Sequence, residues 1–287
     1  MTLENHIENY LNNPFPLWNT ELAKLLVEHK WKELSLTNTS KNPYKYSIVS
    51  SINNGVHHKE VSIPLYENDN GIKLVLPSAI PVSFYEVHGL ELAAIDKSSD
   101  TEIAKVKNAL AVLKQVPEVY PFINTIVKSI QILKAEDSET DISYSHPDIP
   151  FSIFFSLCEE DSLISDLRVA ESILHETMHL YLTLIENQND LIILGSKETF
   201  YSPWRDEERP MRGVLHGLFV FRAIKDLYNS LIADSQINSK EGRKFVNNRV
   251  SEIEEEISML VNFPECSDLT TFGKSFSMLL LKRVIKF

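Results

Sequence analysis

Residues 162–186 constrain the fold of this chain more than any other stretch, because their apolar side chains recur at the spacing of an α-helix. The apolar helical positions are Leu163, Leu167, Ala170, Leu174, Met178 and Tyr181. A helix with one apolar face must pack against another layer of structure. Residues 143–157, which directly precede it, contain an apolar and aromatic run that predicts a strand.

A second pattern, between residues 43 and 80, predicts a small sheet. Apolar and polar residues alternate in YKYSIVSSI, VSIPLY and IKLVLP, and the three runs are separated by Asn54-Gly55 and Asn70-Gly71. Asn-Gly is the two-residue turn favoured in β-hairpins. We therefore expect a three-stranded meander in this region.

The remaining apolar segments predict further helices. Ser99 and Glu102 form a capping box for a helix over 101–115, and Pro117 suits the first turn of a helix over 117–135. Other helices are predicted within 1–42 and over 210–233, 240–262 and 268–285. Mixed strands followed by helices indicate an α+β protein.

Composition excludes several classes of function. The chain has 28 basic and 40 acidic side chains, a formal charge of −12, and such a surface repels phosphate backbones. No apolar run reaches the roughly 18 residues that span a bilayer, and the N-terminus has no secretory signal. Two cysteines are too few for a disulfide framework or a Cys-rich zinc site. We expect a cytoplasmic protein without nucleic-acid or membrane partners.

Within the strongest helix lies the motif His175-Glu176-Thr177-Met178-His179. Two imidazoles four residues apart share one helical face, about 6 Å apart along the axis, so both can reach one metal ion. Glu176 is offset by about 100° from His175, beside the ion, where it can act as a base on bound water or orient another group. The alternative is a pair of partly buried structural histidines. We predict a metal site.

Two residues compete as the third metal ligand. Glu198 follows His179 after 18 intervening residues, a spacing that resembles the gluzincin zinc aminopeptidases, although its context here is a loop. His216 is predicted in the second turn of a helix that starts at Pro210. Gly213 and Gly217 bracket His216, and glycines in a helix indicate that something packs very close. That neighbour is either another helix or a metal with its co-ligand.

Three arginines precede His216 in the chain: Arg205, Arg209 and Arg212. Arg212 is one turn before His216, and an arginine so close to a metal with three imidazoles is costly unless an anion lies between them. A bound carboxylate would supply that anion, and a guanidinium binds one bidentately. The alternative is a salt bridge with an acidic residue of 206–208.

Five segments, in order, resemble the HExxH-motif peptide-modification proteins, which are encoded beside genes for ribosomally made, post-translationally modified peptides. The segments are SerTyrSerHisProAspIlePro, LeuHisGluThrMetHis, SerProTrpArg, ArgProMetArgGly and LeuHisGly. The resemblance covers residues 143–221. One departure is Phe151, which follows Pro150 where a glycine is expected.

The resemblance implies an iron(II)- and 2-oxoglutarate-dependent enzyme that hydroxylates a side-chain β-carbon of a precursor peptide. It implies His175, His179 and His216 as iron ligands, and Glu176 as a residue that orients a ligand histidine or the substrate amide. One of the arginines 205, 209 and 212 would bind the distal carboxylate of 2-oxoglutarate. The fold implied is a zincin-like mixed sheet, then the HExxH helix, then a C-terminal helical bundle.

Two other functions stay open. One is a gluzincin-like zinc metallopeptidase with His175, His179 and Glu198 as zinc ligands and Glu176 activating water. The other is a degenerate HExxH domain that binds a peptide or partner without catalysis. In each case we expect residues 1–95 to form an N-terminal α/β region that holds the meander and is a candidate for substrate binding. Residues 96–287 are then the metal-binding HExxH domain.

Two smaller features have two interpretations each. Residues 151–157 form either an edge strand that could pair with an extended peptide or a buried central strand. The acidic runs at 136–141 and 252–257 are either solvated faces or attract a basic leader peptide. His88 and His146 are predicted to be structural.

Overall fold

The computed structural model describes residues 2–36, 62–65, 71–75, 82–96, 98–135, 137, 140–158 and 160–282. The chain divides into two compact units. We call residues 27–180 the sheet unit, and residues 1–26 with 181–287 the helical unit. The functional division predicted at residue 95 stays a prediction.

Helices and strands alternate in the first half of the chain, and helices dominate the second half. The helices are α1 (Leu3–Asn12), α2 (Thr20–Leu36), α3 (Val82–His88), α4 (Asp100–Leu113), α5 (Val119–Ile126), α6 (Leu163–Glu186), α7 (Met211–Ala233), α8 (Lys240–Ser258) and α9 (Thr271–Leu281). The strands are β1 (Ser62–Pro64), β2 (Lys73–Val75), β3 (Ser129–Leu133), β4 (Ser143–Ser145), β5 (Ser152–Ser156), β6 (Thr199–Ser202) and β7 (Glu207–Pro210). The prediction of an α+β protein is confirmed.

Five strands of the sheet unit form one mixed sheet in the order β1-β2-β3-β5-β4. The inner pairs β2–β3 and β3–β5 are parallel, whereas β1 and β4 run antiparallel to their neighbours. Among the described strands, β1 and β4 are therefore the edges of this sheet. Strands β6 and β7 form a separate hairpin in the helical unit.

The predicted meander is only partly described. Two of its strands correspond to β1 and β2, which pair antiparallel with Ser62 opposite Val75. The first predicted strand, in YKYSIVSSI, lies outside the described residues. Strand β2 continues the sheet by pairing in parallel with β3, a partner far along the chain.

The predicted helix over 117–135 is wrong in its second half. Helix α5 ends at Ile126, and residues 129–133 form β3. All five residues of β3 are buried, so both of its faces are covered, and β3 lies between two parallel neighbours in the sheet. A strand buried on both faces shows no alternation, so its apolar run cannot be distinguished from a buried helix by periodicity.

Residues 143–157 form two strands where one was predicted. The chain turns between β4 and β5, and all five residues of β5 are buried, so this run is an inner strand and β4 is the edge. The turn ends at Phe151, whose φ of 68° is in the left-handed region that favours glycine. The Phe151 ring is buried and stacks on Trp31 at 4.9 Å between centroids. Burial of this ring offsets the cost of the backbone conformation.

The predicted helix over 101–115 is confirmed as α4, but its capping box is not formed. Ser99 is the residue before the helix, and its hydroxyl makes no capping bond to the first turn. The Ser99 hydroxyl instead accepts a hydrogen bond from the backbone N–H of Asp96 at 3.1 Å. A local turn thus competes successfully for the hydroxyl.

The three C-terminal helices are confirmed as α7, α8 and α9. Helix α7 packs against α8 and α9, and α9 also packs against α1. Four aromatic rings fill this core: Tyr10, Tyr181, Phe219 and Phe276. Within the described part of the chain, none of the helices combines the length and apolar character needed to span a membrane.

Candidate metal centre

Helix α6 carries two of the predicted metal ligands, His175 and His179, and matches the predicted bounds closely. Leu174 and Met178 are completely buried and hold the helix in place. His175 and His179 are only half-buried, so their imidazoles remain accessible to solvent on a different side of the helix from Leu174 and Met178. The motif is therefore on a helix, as predicted, with its histidines available to a ligand.

The two imidazoles converge on one point. Their Nε2 atoms are 3.1 Å apart, and their ring centroids are 4.8 Å apart. Two nitrogens that share an ion at about 2.05 Å are about 2.9 Å apart at a right angle and about 3.3 Å apart at the tetrahedral angle. The observed separation lies between these values, so the pair fits two positions of one metal ion. The same contact is also a hydrogen bond between the two imidazoles, so this geometry is compatible with a structural histidine pair as well.

Glu176 lies beside the histidine pair. Its side chain is almost completely buried at 3% exposure, and its carboxylate is 3.9 Å from His175 Nε2. A buried carboxylate requires polar or charged partners. The predicted roles of Glu176, to orient an imidazole or to accept a proton, stay predictions.

A second polar cluster in the sheet unit, the Tyr144 cluster, consists of His88, Tyr144 and His146. The Tyr144 hydroxyl is 2.8 Å from His88 Nδ1, and the His146 ring stacks on Tyr144 with its centroid 4.7 Å from that of His88. His146 Nδ1 accepts a hydrogen bond from the backbone N–H of Asp148. A neutral His146 therefore carries its proton on Nε2.

The Tyr144 cluster is electrostatically connected with Glu176. Burial, followed by the negative charges of Glu176 and Asp148, raises the pKa of Tyr144 to about 12. Burial and the neighbouring His88 lower the pKa of His146. Sequence reasoning treated both histidines as structural residues.

His216 lies in the helical unit and is buried, with only 5% exposure. Its Nε2 is 2.9 Å from a carboxylate oxygen of Glu186, at the end of α6. Arg212 donates to the same Glu186 oxygen at 2.8 Å and to the Thr183 hydroxyl at 3.2 Å. The sequence predicted an anion between Arg212 and His216, and the described anion is the carboxylate of Glu186.

The charge state of Glu186 determines which nitrogen of His216 is protonated. Burial acts to raise the pKa of Glu186, but the hydrogen bond from His216 and the charges of His216 and Arg212 lower it below its ordinary value. Glu186 is therefore ionised and accepts a hydrogen bond from His216 Nε2–H. In a neutral His216 the unprotonated nitrogen is then Nδ1.

The other two arginines differ from each other. Arg209 donates to the Glu207 carboxylate at 3.0 Å, which is the predicted local salt bridge. Arg205 follows β6 in an exposed turn, where its backbone N–H donates to the Ser202 carbonyl. For Arg212 the salt bridge is with Glu186, outside the predicted segment 206–208.

Glu198 is held by the loop before α9. Its carboxylate accepts the backbone N–H of Asp268 at 3.1 Å and the Ser267 hydroxyl at 3.3 Å. These bonds connect the start of the β6–β7 hairpin to the segment before α9, so they give Glu198 a structural role in the helical unit.

The close neighbour of Gly217 is the indole ring of Trp204. A side chain at Gly217 would place its Cβ 2.6 Å from the Trp204 indole, which stacks on Phe221 at 4.8 Å between centroids. Trp204 belongs to the turn between β6 and β7. At Gly213 the nearest atoms, from Arg209, would be 3.8 Å away. Of the two glycines that bracket His216, Gly217 is therefore the one required for close packing.

We expect Gly217→Ala to destabilise the protein by about 1–3 kcal/mol, because the new methyl group overlaps a rigid, stacked indole. Gly213→Ala is the matched control, and it should stabilise the protein by up to about 1 kcal/mol through the helix preference of alanine. Urea unfolding of both variants measures the difference. Equal stability of the two variants would contradict the packing described for Trp204.

Among the described residues, no three side chains of His, Cys, Asp or Glu are grouped closely enough to hold a metal ion. The third ligand stays a prediction, for His216 and for Glu198 alike. In comparisons with known proteins, no protein-family model matches this chain, and no curated protein sequence matches it.

Proposed function

We propose that this protein is an iron(II)- and 2-oxoglutarate-dependent enzyme that hydroxylates a side chain of a ribosomally made precursor peptide. The observation that supports a metal enzyme is the 3.1 Å separation of the Nε2 atoms of His175 and His179. The resemblance of residues 143–221 to the HExxH-motif peptide-modification proteins provides the reaction and the substrate class. The zincin-like character of the sheet is part of the same proposal.

His175 and His179 would hold the iron, with zinc as the alternative metal. When bound, iron(II) supplies oxidation by dioxygen, coupled to decarboxylation of 2-oxoglutarate. Glu176 lies 3.9 Å from His175, and its buried carboxylate would orient that imidazole or the amide of the substrate. No hydrolytic role of Glu176 is required.

His216 remains our candidate for the third ligand. Histidines that bind metals commonly donate their second ring N–H to a carboxylate, and His216 has such a partner in Glu186. The bond leaves Nδ1 of His216 as the nitrogen that could bind a metal. Glu198, by contrast, already accepts two hydrogen bonds from the segment before α9, and this arrangement disfavours the gluzincin alternative.

The residue that binds the distal carboxylate of 2-oxoglutarate would come from the predicted arginines. To bind the co-substrate, Arg212 would have to break its salt bridge with Glu186. Arg209 would have to break its salt bridge with Glu207. Arg205 has an exposed side chain in the same hairpin. Among the three single alanine variants, the one that removes the binding arginine should raise the oxoglutarate concentration needed for turnover without removing iron.

The proposal is tested with the full-length protein, purified without oxygen and loaded with iron(II). We expect one iron per chain and formation of succinate that requires both 2-oxoglutarate and dioxygen. Co-expression with the precursor peptide encoded nearby should add the mass of one oxygen atom. Stoichiometric zinc, together with peptide cleavage and no consumption of oxoglutarate, would support the zinc peptidase instead.

A variant of Glu176 sharpens this test. Glu176→Gln keeps the size of the side chain but removes its charge and its ability to accept a proton. An oxygenase should keep its iron and part of its succinate formation, since Glu176 only orients groups there. A zinc peptidase would lose nearly all activity, by the factor of about 10²–10⁴ typical of a missing general base.

A further inference from the structure

The turn that joins β4 to β5 is closed by a histidine side chain. His146 Nδ1 accepts the backbone N–H of Asp148 at 3.1 Å, and the His146 carbonyl accepts the backbone N–H of Ile149 at 3.0 Å. A ring nitrogen that accepts a hydrogen bond from an N–H group carries no proton. The turn in this form therefore requires a neutral His146.

A second histidine lies against His146. His88, the last residue of α3, has its ring centroid 4.7 Å from that of His146, and its Nδ1 is 2.8 Å from the Tyr144 hydroxyl on β4. The ring of Phe84, one turn earlier in α3, has its centroid 4.5 Å from that of His88 and 6.4 Å from that of His146. The Tyr144 cluster thus joins α3 to the edge strand, and two protonated imidazoles this close repel each other.

Charged groups from three elements act on the Tyr144 cluster. Burial, followed by the charge of His88 on α3, lowers the pKa of His146, whereas Asp148 in the turn acts to raise it. Burial, followed by Glu176 on α6 and Asp148, raises the pKa of Tyr144 to about 12, so this hydroxyl stays protonated. Burial and His88 prevail at His146, so the nearby carboxylates do not hold this imidazole in its charged form.

We propose that His146 is a proton switch that releases the edge strand β4 from α3 in mildly acidic solution. A proton added to the neutral ring goes to Nδ1, where it removes the acceptor of the Asp148 N–H and opens the turn. The new charge lies beside the His88 ring, so the contact that holds α3 on the Tyr144 cluster weakens. Tyr144 then loses its fixed position within electrostatic range of Glu176, and the surroundings of the motif glutamate change with pH.

The direction of the pH dependence follows from the lowered pKa of His146. A histidine whose pKa is lower in the folded chain than in the unfolded chain supports the fold fully above the ordinary value of about 6.5. This support is lost as the pH falls through the lowered pKa. Strand β4 and its turn should therefore be well ordered at neutral pH and less ordered in acid.

Hydrogen–deuterium exchange of the full-length protein, read by mass spectrometry, measures the order of residues 142–149 between about pH 7.5 and about pH 4.5, a range that spans the ordinary pKa of histidine. After correction for the intrinsic pH dependence of exchange, protection of this segment should fall about tenfold in acid, the effect of one or two lost hydrogen bonds. Strand β3, which lies inside the sheet, should keep its protection. The loss should be the same with and without a chelator, because release of a metal is not its cause.

Two variants assign the loss to the histidines. His146→Asn places an amide oxygen near the position of Nδ1, and asparagine closes such turns at any pH, so protection of residues 142–149 should no longer change with pH. His88→Asn removes the neighbouring charge, so the pKa of His146 should rise and the midpoint of the loss should move to higher pH. His29→Asn on α2, which removes an imidazole 3.6 Å from Glu33, is the matched control and should behave like the unchanged protein.

Constant protection of residues 142–149 over this pH range would overturn the proposal, as would a His146→Asn variant that loses protection with the midpoint of the unchanged protein. Should His146→Asn fail to fold, the midpoint in His88→Asn decides. A shift to higher pH supports the switch, and an unchanged midpoint overturns it. These outcomes are independent of the proposed hydroxylase, because no turnover is measured.

Discussion

Replacing either His175 or His179 with alanine is expected to lower the affinity for the metal at least about 100-fold. Even the loss of an outer group that orients a metal ligand costs about 10–100-fold in affinity, and here a ligand itself is removed. The remaining imidazole has no partner at 3.1 Å with which to share the ion. Metal content after anaerobic loading with iron(II), together with a competition titration, measures the effect.

Three further variants complete this experiment. His29→Ala removes a histidine whose ring lies near Glu33 on α2, and it should bind metal like the unchanged protein. His216→Ala should lose most of the metal affinity, whereas Glu198→Ala should leave it nearly intact. If His175→Ala and His179→Ala retained stoichiometric metal, the proposed centre would be wrong. If Glu198→Ala lost the metal and His216→Ala kept it, the gluzincin alternative would replace the oxygenase.

Arg222→Met is expected to destabilise the protein by about 3–5 kcal/mol, the usual cost of removing one partner from a buried ion pair. Arg222 is 2% exposed and lies on α7 in the helical unit. Its guanidinium donates to the carbonyls of Leu280 and Lys282, each at 2.7 Å, and to Asp226 at 3.2 Å. It also packs 4.8 Å from the centroid of the Phe15 ring.

The physical reason is that one cation satisfies several groups at once. The last carbonyls of a helix have no partners within it, and Arg222 binds those at the end of α9. Burial already raises the pKa of Asp226 despite the charge of Arg222. Without the arginine, both the carbonyls and the carboxylate lose their partner.

Urea unfolding measures this cost, and two comparisons establish its origin. Arg243 also donates to a carbonyl, that of Ile237 at 2.7 Å, but its side chain is exposed. Arg243→Ala should therefore cost about 1 kcal/mol or less. The double variant Arg222→Met with Asp226→Asn should recover part of the loss, because it removes the uncompensated charge. A cost near 1 kcal/mol for Arg222→Met would contradict the described network.

Local sequence patterns predicted those features that depend on neighbours within a few residues. The helical period placed α6 within one residue of its described bounds, and helix geometry brought His175 and His179 to one face. Both features follow from backbone geometry alone. The expectation of a glycine at position 151 came instead from the family resemblance, and Phe151 does adopt a positive φ there.

Patterns failed where distant residues decide the structure. The segment of β3 was predicted as helix because its residues are buried on both faces and show no polar alternation, and its partner strands come from distant parts of the chain. The structural role of Arg222 could not be predicted, since a single arginine in an apolar helix does not indicate that it binds carbonyls some 58–60 residues away. Likewise, nothing near Arg212 indicated that its anion would be Glu186, 26 residues earlier.

The sequence by itself determined that the chain has a strong helix with two imidazoles directed at one point, because residues four apart on a helix must lie on one face. Only the tertiary structure decided which partners the other polar groups have. It paired His216 and Arg212 with Glu186, Glu198 with Asp268, and Tyr144 with His88. These contacts join residues far apart in the chain, and a buried polar group accepts whichever partner the packing of helices and strands brings within hydrogen-bond distance.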